Sequence, residues 1–200
     1  MTTKTFTRPL DLKLLAQHIA PDATILDYGC GQGRLCGELQ KAGYGKVVGV
    51  DFSEAMIQRA REALPGIEFA VLDASGLTLP AQSVDCALLF AVLTCIPDDA
   101  SQRAVVEQLE RVLKPGGVVY LSDYLLQSDA RSVERYQRNA AQGENFGVFV
   151  TDDGARVRHH SAEWLDALFA GFEKLDAWDV EVMTMNGHRS GGCQWVLRKR

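Results

Sequence analysis

Between residues 24 and 121, short apolar runs alternate with stretches of helical period, and this alternation limits the fold more than any other feature of the chain. The runs lie at 24–27, 46–51, 67–73, 84–90 and 118–121. Their continuous apolar character, as in Val47-Val48-Gly49-Val50, marks inner strands of a parallel sheet covered on both faces. The intervening stretches place apolar residues three or four apart: Leu35, Leu39 and Ala42, then Met56, Ile57, Ala60 and Leu64, then Val105, Val106, Leu109 and Val112. Ser53 caps the second and Pro65-Gly66 ends it; Pro115-Gly116-Gly117 stops the third. A further helix carries Leu10, Leu14, Leu15 and Ile19, closed by Pro21. Five strands alternating with helices specify a doubly wound α/β sheet with right-handed crossovers, and such sheets bind ligands at the carboxyl ends of their strands.

The first of those strand ends is distinctive. Ile25-Leu26-Asp27-Tyr28-Gly29-Cys30-Gly31-Gln32-Gly33-Arg34-Leu35 reads as strand, glycine loop and helix. The glycines permit a sharp turn and close approach of a ligand, while the new helix offers unpaired N–H groups and a positive dipole end. Three acids, Asp27, Asp51 and Asp73, end successive strands. In this sheet they share one edge, where Asp51 would accept two ribose hydroxyls and Asp73 an exocyclic amine such as that of adenine. A dinucleotide fingerprint spaces its third glycine three residues after the second; here Gly33 follows Gly31 by two. Asp27 also suits an ammonium or sulfonium better than two phosphates, and S-adenosylmethionine carries both cations.

Composition excludes several classes. With 46% hydrophobic and 24% charged residues in 200, the chain is expected to form one domain, 1–200. A net charge of -5 without a basic stripe argues against nucleic acid as a partner. The start lacks the apolar segment of a secretory leader and no run is long enough to span a membrane, so a cytoplasmic protein without a membrane partner, monomeric or homodimeric, is expected. Five cysteines without a Cys-x-x-Cys pair indicate reduced thiols and no metal site.

The motifs resemble those of class I S-adenosylmethionine-dependent methyltransferases, in particular the compact small-molecule branch of the type 11/25 kind. The resemblance is carried by Leu26-Asp27-Tyr28-Gly29-Cys30-Gly31-Gln32-Gly33, Val50-Asp51-Phe52-Ser53, Leu72-Asp73-Ala74 and Arg111-Val112-Leu113-Lys114-Pro115-Gly116-Gly117. It implies a Rossmann-like sheet of seven strands with the last antiparallel. It implies S-adenosylmethionine as cofactor, with Asp27, Gly29, Gly31 and Gly33 around its methionine part, Asp51 on the ribose, and Asp73 with the Ala74 amide at the adenine. Phe52 and Met56 would cover the adenine faces or lie in the core, and Phe90 at the end of the fourth strand completes the cofactor set. Methyl transfer to a small-molecule oxygen, nitrogen or sulfur acceptor follows, with a catalytically idle cofactor-binding protein of the same fold as the alternative and a nicotinamide oxidoreductase opposed by the glycine spacing.

The stretch 124–160 breaks the alternation and reads as a lid of a polar helix at 127–142 and a hairpin at 147–160 around Asp152-Asp153-Gly154. An amphipathic helix at 161–170 and two antiparallel strands, 172–185 and 193–198, close the chain. Methyl transfer needs in-line alignment and exclusion of water, and needs a base only where the acceptor must lose a proton. His159 and His160 are the candidate bases; neighbouring strand residues face opposite ways, so one of the two is expected to enter the pocket, while a surface histidine or a packing partner for Trp164 is the plainer reading. His188 is a weaker candidate. Cys95, Tyr124, Tyr136, Phe149 and Arg158 are the candidate substrate contacts, the aromatics serving a water-excluding pocket or the core.

Overall fold

The computed structural model of the protein describes residues 9–73, 76–183 and 189–200. Helix α1 (Leu12–His18) precedes the alternating unit of β1 (Thr24–Tyr28), α2 (Arg34–Lys41), β2 (Lys46–Asp51), α3 (Glu54–Ala63), β3 (Glu68–Val71) and β4 (Val84–Phe90). A short 3-10 turn, Leu93–Cys95, then leads to α4 (Asp99–Val112) and β5 (Leu113–Tyr124). The segment expected to form a lid consists of α5 (Ala130–Ala140) and the antiparallel strands β6 (Val148–Val150) and β7 (Arg156–Arg158), and the chain ends with α6 (Ala162–Leu168), β8 (Phe172–Met183) and β9 (Arg189–Lys199).

Seven strands form one sheet in the order β3-β2-β1-β4-β5-β9-β8. Strands β1 to β5 pair in parallel, and β9 is antiparallel to both β5 and β8, as the motif resemblance implies. Because side chains alternate along a strand, the sheet feeds two cores. Leu26 of β1 and Leu89 of β4 face α4 and α6, with Val106, Leu109, Leu165 and Phe169. Ile25 and Leu88 face α1, α2 and α3, with Leu15, Leu39 and Ile57. Each such leucine or isoleucine, buried completely, contributes about 1.5–3 kcal/mol. Polar caps fix where the helices begin: Ser53 Oγ accepts from Met56 N at 3.3 Å, Asp98 from Ser101 N at 2.8 Å, and Ser161 Oγ from Trp164 N at 3.1 Å.

Two strands run longer than their sequences suggest. Lys114-Pro115-Gly116-Gly117 does end the helical region, yet Leu113 already pairs with Val84 and Val118 resumes pairing with Cys86, so the tetrapeptide is a bulge within β5. Strand β9 begins at Arg189 instead of 193, because Gly191 and Gly192 pair with Glu181 and Val180 of β8 and Gly192 also with Tyr124 of β5. Hydrogen-bond partners on both sides override the turn preference of paired glycines.

Candidate active site

The glycine loop after β1 is shaped by backbone conformations that side chains disfavour. Gly29, Gly31 and Gly33 have φ of 77, 55 and 85°. Gly29 is the most constrained, since a Cβ there would stand 2.5 Å from Val92 Cγ2 in the turn after β4. A Cβ at Gly31 would meet nothing within 4 Å, so that residue faces open space above the loop. The loop is tied to the next strand by Gly29 N and Cys30 N, which donate to Val50 O at 2.8 and 2.9 Å.

Asp51, the last residue of β2, joins two loops: its carboxylate accepts from Gly31 N at 2.9 Å and from Ser53 N at 2.8 Å. Each oxygen retains a lone pair for a further donor. Asp27 is 1% exposed. Its carboxylate lies inside, below the loop instead of at its entrance, and accepts from Cys36 Sγ at 3.2 Å. Burial pushes its pKa up to about 6, with Cys36 and Arg34 opposing and Asp51 adding to the rise. Beside these acids the surface is apolar: Phe52 is 61% exposed and Met56 38%, so both are outside the core and available to flank a flat ring. Asp73, past the end of β3, is also exposed, whereas Ala74 lies outside the described residues. A buried acid under an open glycine loop, a bridging carboxylate and an exposed aromatic fit a cationic nucleoside. Phe90 is buried with the core residues under α1–α3, its ring 5.1 Å from that of Tyr120, and so belongs to packing.

At the carboxyl ends of β4 and β5, a cavity of about 190 Å³ opens beneath the β6–β7 hairpin, walled by Ala91, Cys95, Tyr124, Phe149, Val157 and His159 among others. Its wall residue Ala91 precedes Val92, the residue that a Cβ at Gly29 of the glycine loop would meet. His159 is held on three sides. Its Nδ1 shares a hydrogen bond of 2.7 Å with the Tyr136 hydroxyl, its ring stacks on Tyr124 at 5.3 Å, and Phe149 presents an edge at 4.9 Å. Gly147 makes this possible: at φ 100° its carbonyl accepts from His159 N at 3.0 Å, and a Cβ there would stand 2.2 Å from His159 O.

Three candidates named from the sequence sit outside the cavity. His160 does not reach it. It is 1% exposed and accepts at Nε2 from Gln102 Nε2 at 2.9 Å, while Nδ1 donates to Tyr124 O at 3.3 Å. Burial lowers its pKa against the pull of Asp123, so it is a neutral structural group. Arg158 turns away toward Pro97 O and Asp99, with its guanidinium over Trp164. Tyr136 is fully buried behind His159 and acts through that residue. Cys95 stands at the cavity rim; desolvation, with Asp123 and Asp51 nearby, pushes its thiol up to about 11, so it is a protonated and poor nucleophile. His188 lies outside the described residues. Sequence reasoning missed Arg135 and Ser190 in the cavity wall, since a basic residue in a polar helix and a serine beside paired glycines carry no distinguishing pattern. Among the described residues no cluster of ligands for a metal ion occurs.

Comparison with known proteins agrees with this geometry. A family model described as a methyltransferase domain matches residues 25–117. The chain is 32% identical to a trans-aconitate 2-methyltransferase of Methylobacterium nodulans over 196 residues, 95% of this chain and 72% of that relative. It is 32% identical over 164 residues to human tRNA N(3)-cytidine methyltransferase METTL2B, covering 76% of this chain and 42% of the relative. Several curated relatives are thus much longer than this chain, whose match spans 30% of a transposon protein of Streptomyces fradiae. Among solved structures, an S-adenosylmethionine-dependent methyltransferase of Methanosarcina mazei superposes with a TM-score of 0.87 at 26% identity, over 95% of this chain and 99% of that one.

Proposed function

Because the chain belongs to the class I S-adenosylmethionine-dependent methyltransferases, we propose that it methylates a small-molecule acceptor seated in the cavity beneath the β6–β7 hairpin. The observation that carries this reading is the position of that cavity: it opens at the carboxyl ends of β4 and β5, Tyr124, Phe149, Val157 and His159 line it among polar residues, and its wall residue Ala91 precedes Val92, which packs on Gly29 of the glycine loop. The bound cofactor supplies a methyl group on a sulfonium that is already electrophilic. The protein's task is then to orient the acceptor and keep water out, which alone supplies much of the acceleration. Asp51 accepts the ribose hydroxyls, Phe52 and Met56 flank the adenine, Asp73 meets its edge, and Asp27 biases the loop toward a cation. Where the acceptor is a hydroxyl, thiol or ammonium, His159, oriented by Tyr136, takes the proton.

The net charge of -5 favours a small molecule over a polynucleotide. So does the match to the trans-aconitate enzyme over 95% of the chain, against 76% for the human tRNA enzyme. On this reading residues 1–200 act as one domain, in the cytoplasm, as a monomer or homodimer. No helix among the described residues is long and apolar enough to cross a membrane. The test supplies methyl-labelled S-adenosylmethionine with a cell metabolite extract and, separately, with total tRNA. Label in a small-molecule fraction is expected. Label confined to tRNA refutes the acceptor class, and no label from protein that binds S-adenosylhomocysteine in calorimetry makes it an idle cofactor-binding protein. Asp51→Ala should abolish that binding.

A further inference from the structure

Among the lid arginines, one differs from the rest. Arg131 faces Asp152 at 3.9 Å, Arg138 pairs with Glu134 at 2.9 Å, Arg158 with Asp99 at 2.5 Å, and Arg156 with Glu144. Arg135 has no carboxylate within ion-pair distance among the described residues, although it lines the same cavity. Its guanidinium carbon lies over Phe149, 3.5 Å from the ring centroid, and its buried Nε has no hydrogen-bond partner. The hydrogen bond from its Nη2 to Ser132 Oγ is a long one, at 3.5 Å.

A second unsatisfied group shares this wall. Ser190, 5% exposed, also lines the cavity, and its Oγ has no partner. A buried donor left without a partner is costly, and it is tolerated where a ligand completes it. The three acids of the cavity have hydrogen-bond or ion-pair partners of their own, and Arg135 helps, after Ser132, to hold the Asp129 carboxyl below the usual carboxylate range. Asp129 caps α5 by accepting from Ser132 N at 3.0 Å, Asp152 faces Arg131, and Asp153 accepts from Thr151 Oγ1.

Resting on the methyltransferase reading above, we infer that Arg135 and Ser190 form an anion subsite in this cavity and that the acceptor is a small acid whose carboxylate binds there. The guanidinium, seated on Phe149, donates to the carboxylate, and Ser190 Oγ donates a further bond. Tyr124, Phe149 and Val157 cover the apolar remainder of the molecule. At about 190 Å³ the cavity is smaller than the usual 300–1,000 Å³ of drug-sized sites, which restricts the acid to a compact one.

The test is a calorimetric titration of protein saturated with S-adenosylhomocysteine, using benzoate and its neutral analogue benzamide as probes. Benzoate is expected to bind at least tenfold more tightly. Arg135→Met should remove that preference, weakening benzoate at least tenfold while changing benzamide less than about twofold, and Ser190→Ala should weaken benzoate by a smaller factor. Equal affinity for the two probes, binding of neither, or unchanged benzoate affinity in folded Arg135→Met overturns the subsite. Phenyl phosphate binding more tightly than benzoate overturns the carboxylate assignment. The wild-type comparison decides the matter even where a variant does not fold. A preceding titration with S-adenosylhomocysteine separates the two levels, since its failure removes the methyltransferase reading, whereas normal cofactor binding without benzoate preference removes only this inference.

Discussion

Replacing Asp27 by asparagine should stabilise the protein while weakening its hold on the cofactor. The carboxyl is buried beneath the glycine loop, and its pKa of about 6 against an ordinary 3.8 reflects burial first, with Asp51 adding to the rise. At 1.36 kcal/mol per pH unit, that displacement means ionised Asp27 costs the fold about 3 kcal/mol. The native state retains the proton up to about pH 6, while the unfolded chain releases it near 3.9, so the native state binds more protons in between. Stability therefore declines as pH rises from about 4 to 6 and stays low above that. Asparagine keeps the shape, can still accept from the Cys36 thiol and removes the charge. At pH 7.5 without ligand, Asp27→Asn should melt roughly 3–10 °C above the wild type, corresponding to about 1–3 kcal/mol, and the difference should vanish toward pH 4. S-adenosylmethionine affinity, read by calorimetry at pH 7.5, should fall about tenfold, because a carboxylate in a poorly hydrated site attracts a nearby cation strongly. A variant that melts at or below the wild type at pH 7.5 would refute the idea that a charge is stored under the loop for a cationic ligand.

His159→Ala should lower turnover about tenfold or more with S-adenosylhomocysteine affinity nearly unchanged, and Tyr136→Phe should reproduce part of that loss; full activity in both would leave alignment as the whole mechanism. His160→Ala should instead lower the melting temperature, since Gln102 and Tyr124 lose a buried partner worth about 1–3 kcal/mol. Because burial lowers the His160 pKa, the native state binds fewer protons than the unfolded chain below about pH 6.5, so this residue destabilises the fold in acid and its removal should narrow the gap between melting temperatures at pH 7.5 and 5. Gly29→Ala should cost about 1–3 kcal/mol in a denaturant titration, from the positive φ and the contact with Val92.

Local chemistry was enough to make the glycine loop and the strand-end acids legible as one feature. The glycine loop, Asp51 and the strand-end acids are consecutive features of single strand-to-helix turns, and a parallel sheet brings such turns to one edge whatever else the chain does. Phe52 and Met56 could not be assigned from spacing alone; their exposure decides that they face outward. The lid was legible as a helix and a hairpin, but its chemistry was not.

In sequence, His159 looks like His160, and Arg131, Arg135 and Arg138 look like one another. Their roles separate only when Gly147 seats the end of β7 against the lid, sending His159 to Tyr136 and His160 to Gln102. The periodic burial of apolar residues, a property of each segment, thus determined the sheet and its two cores. Which charged side chains find partners depends on distances between segments far apart in the chain. Only the tertiary structure fixes those distances, and it left Arg135 in the wall of the cavity beneath the β6–β7 hairpin with no ion-pair partner among the described residues.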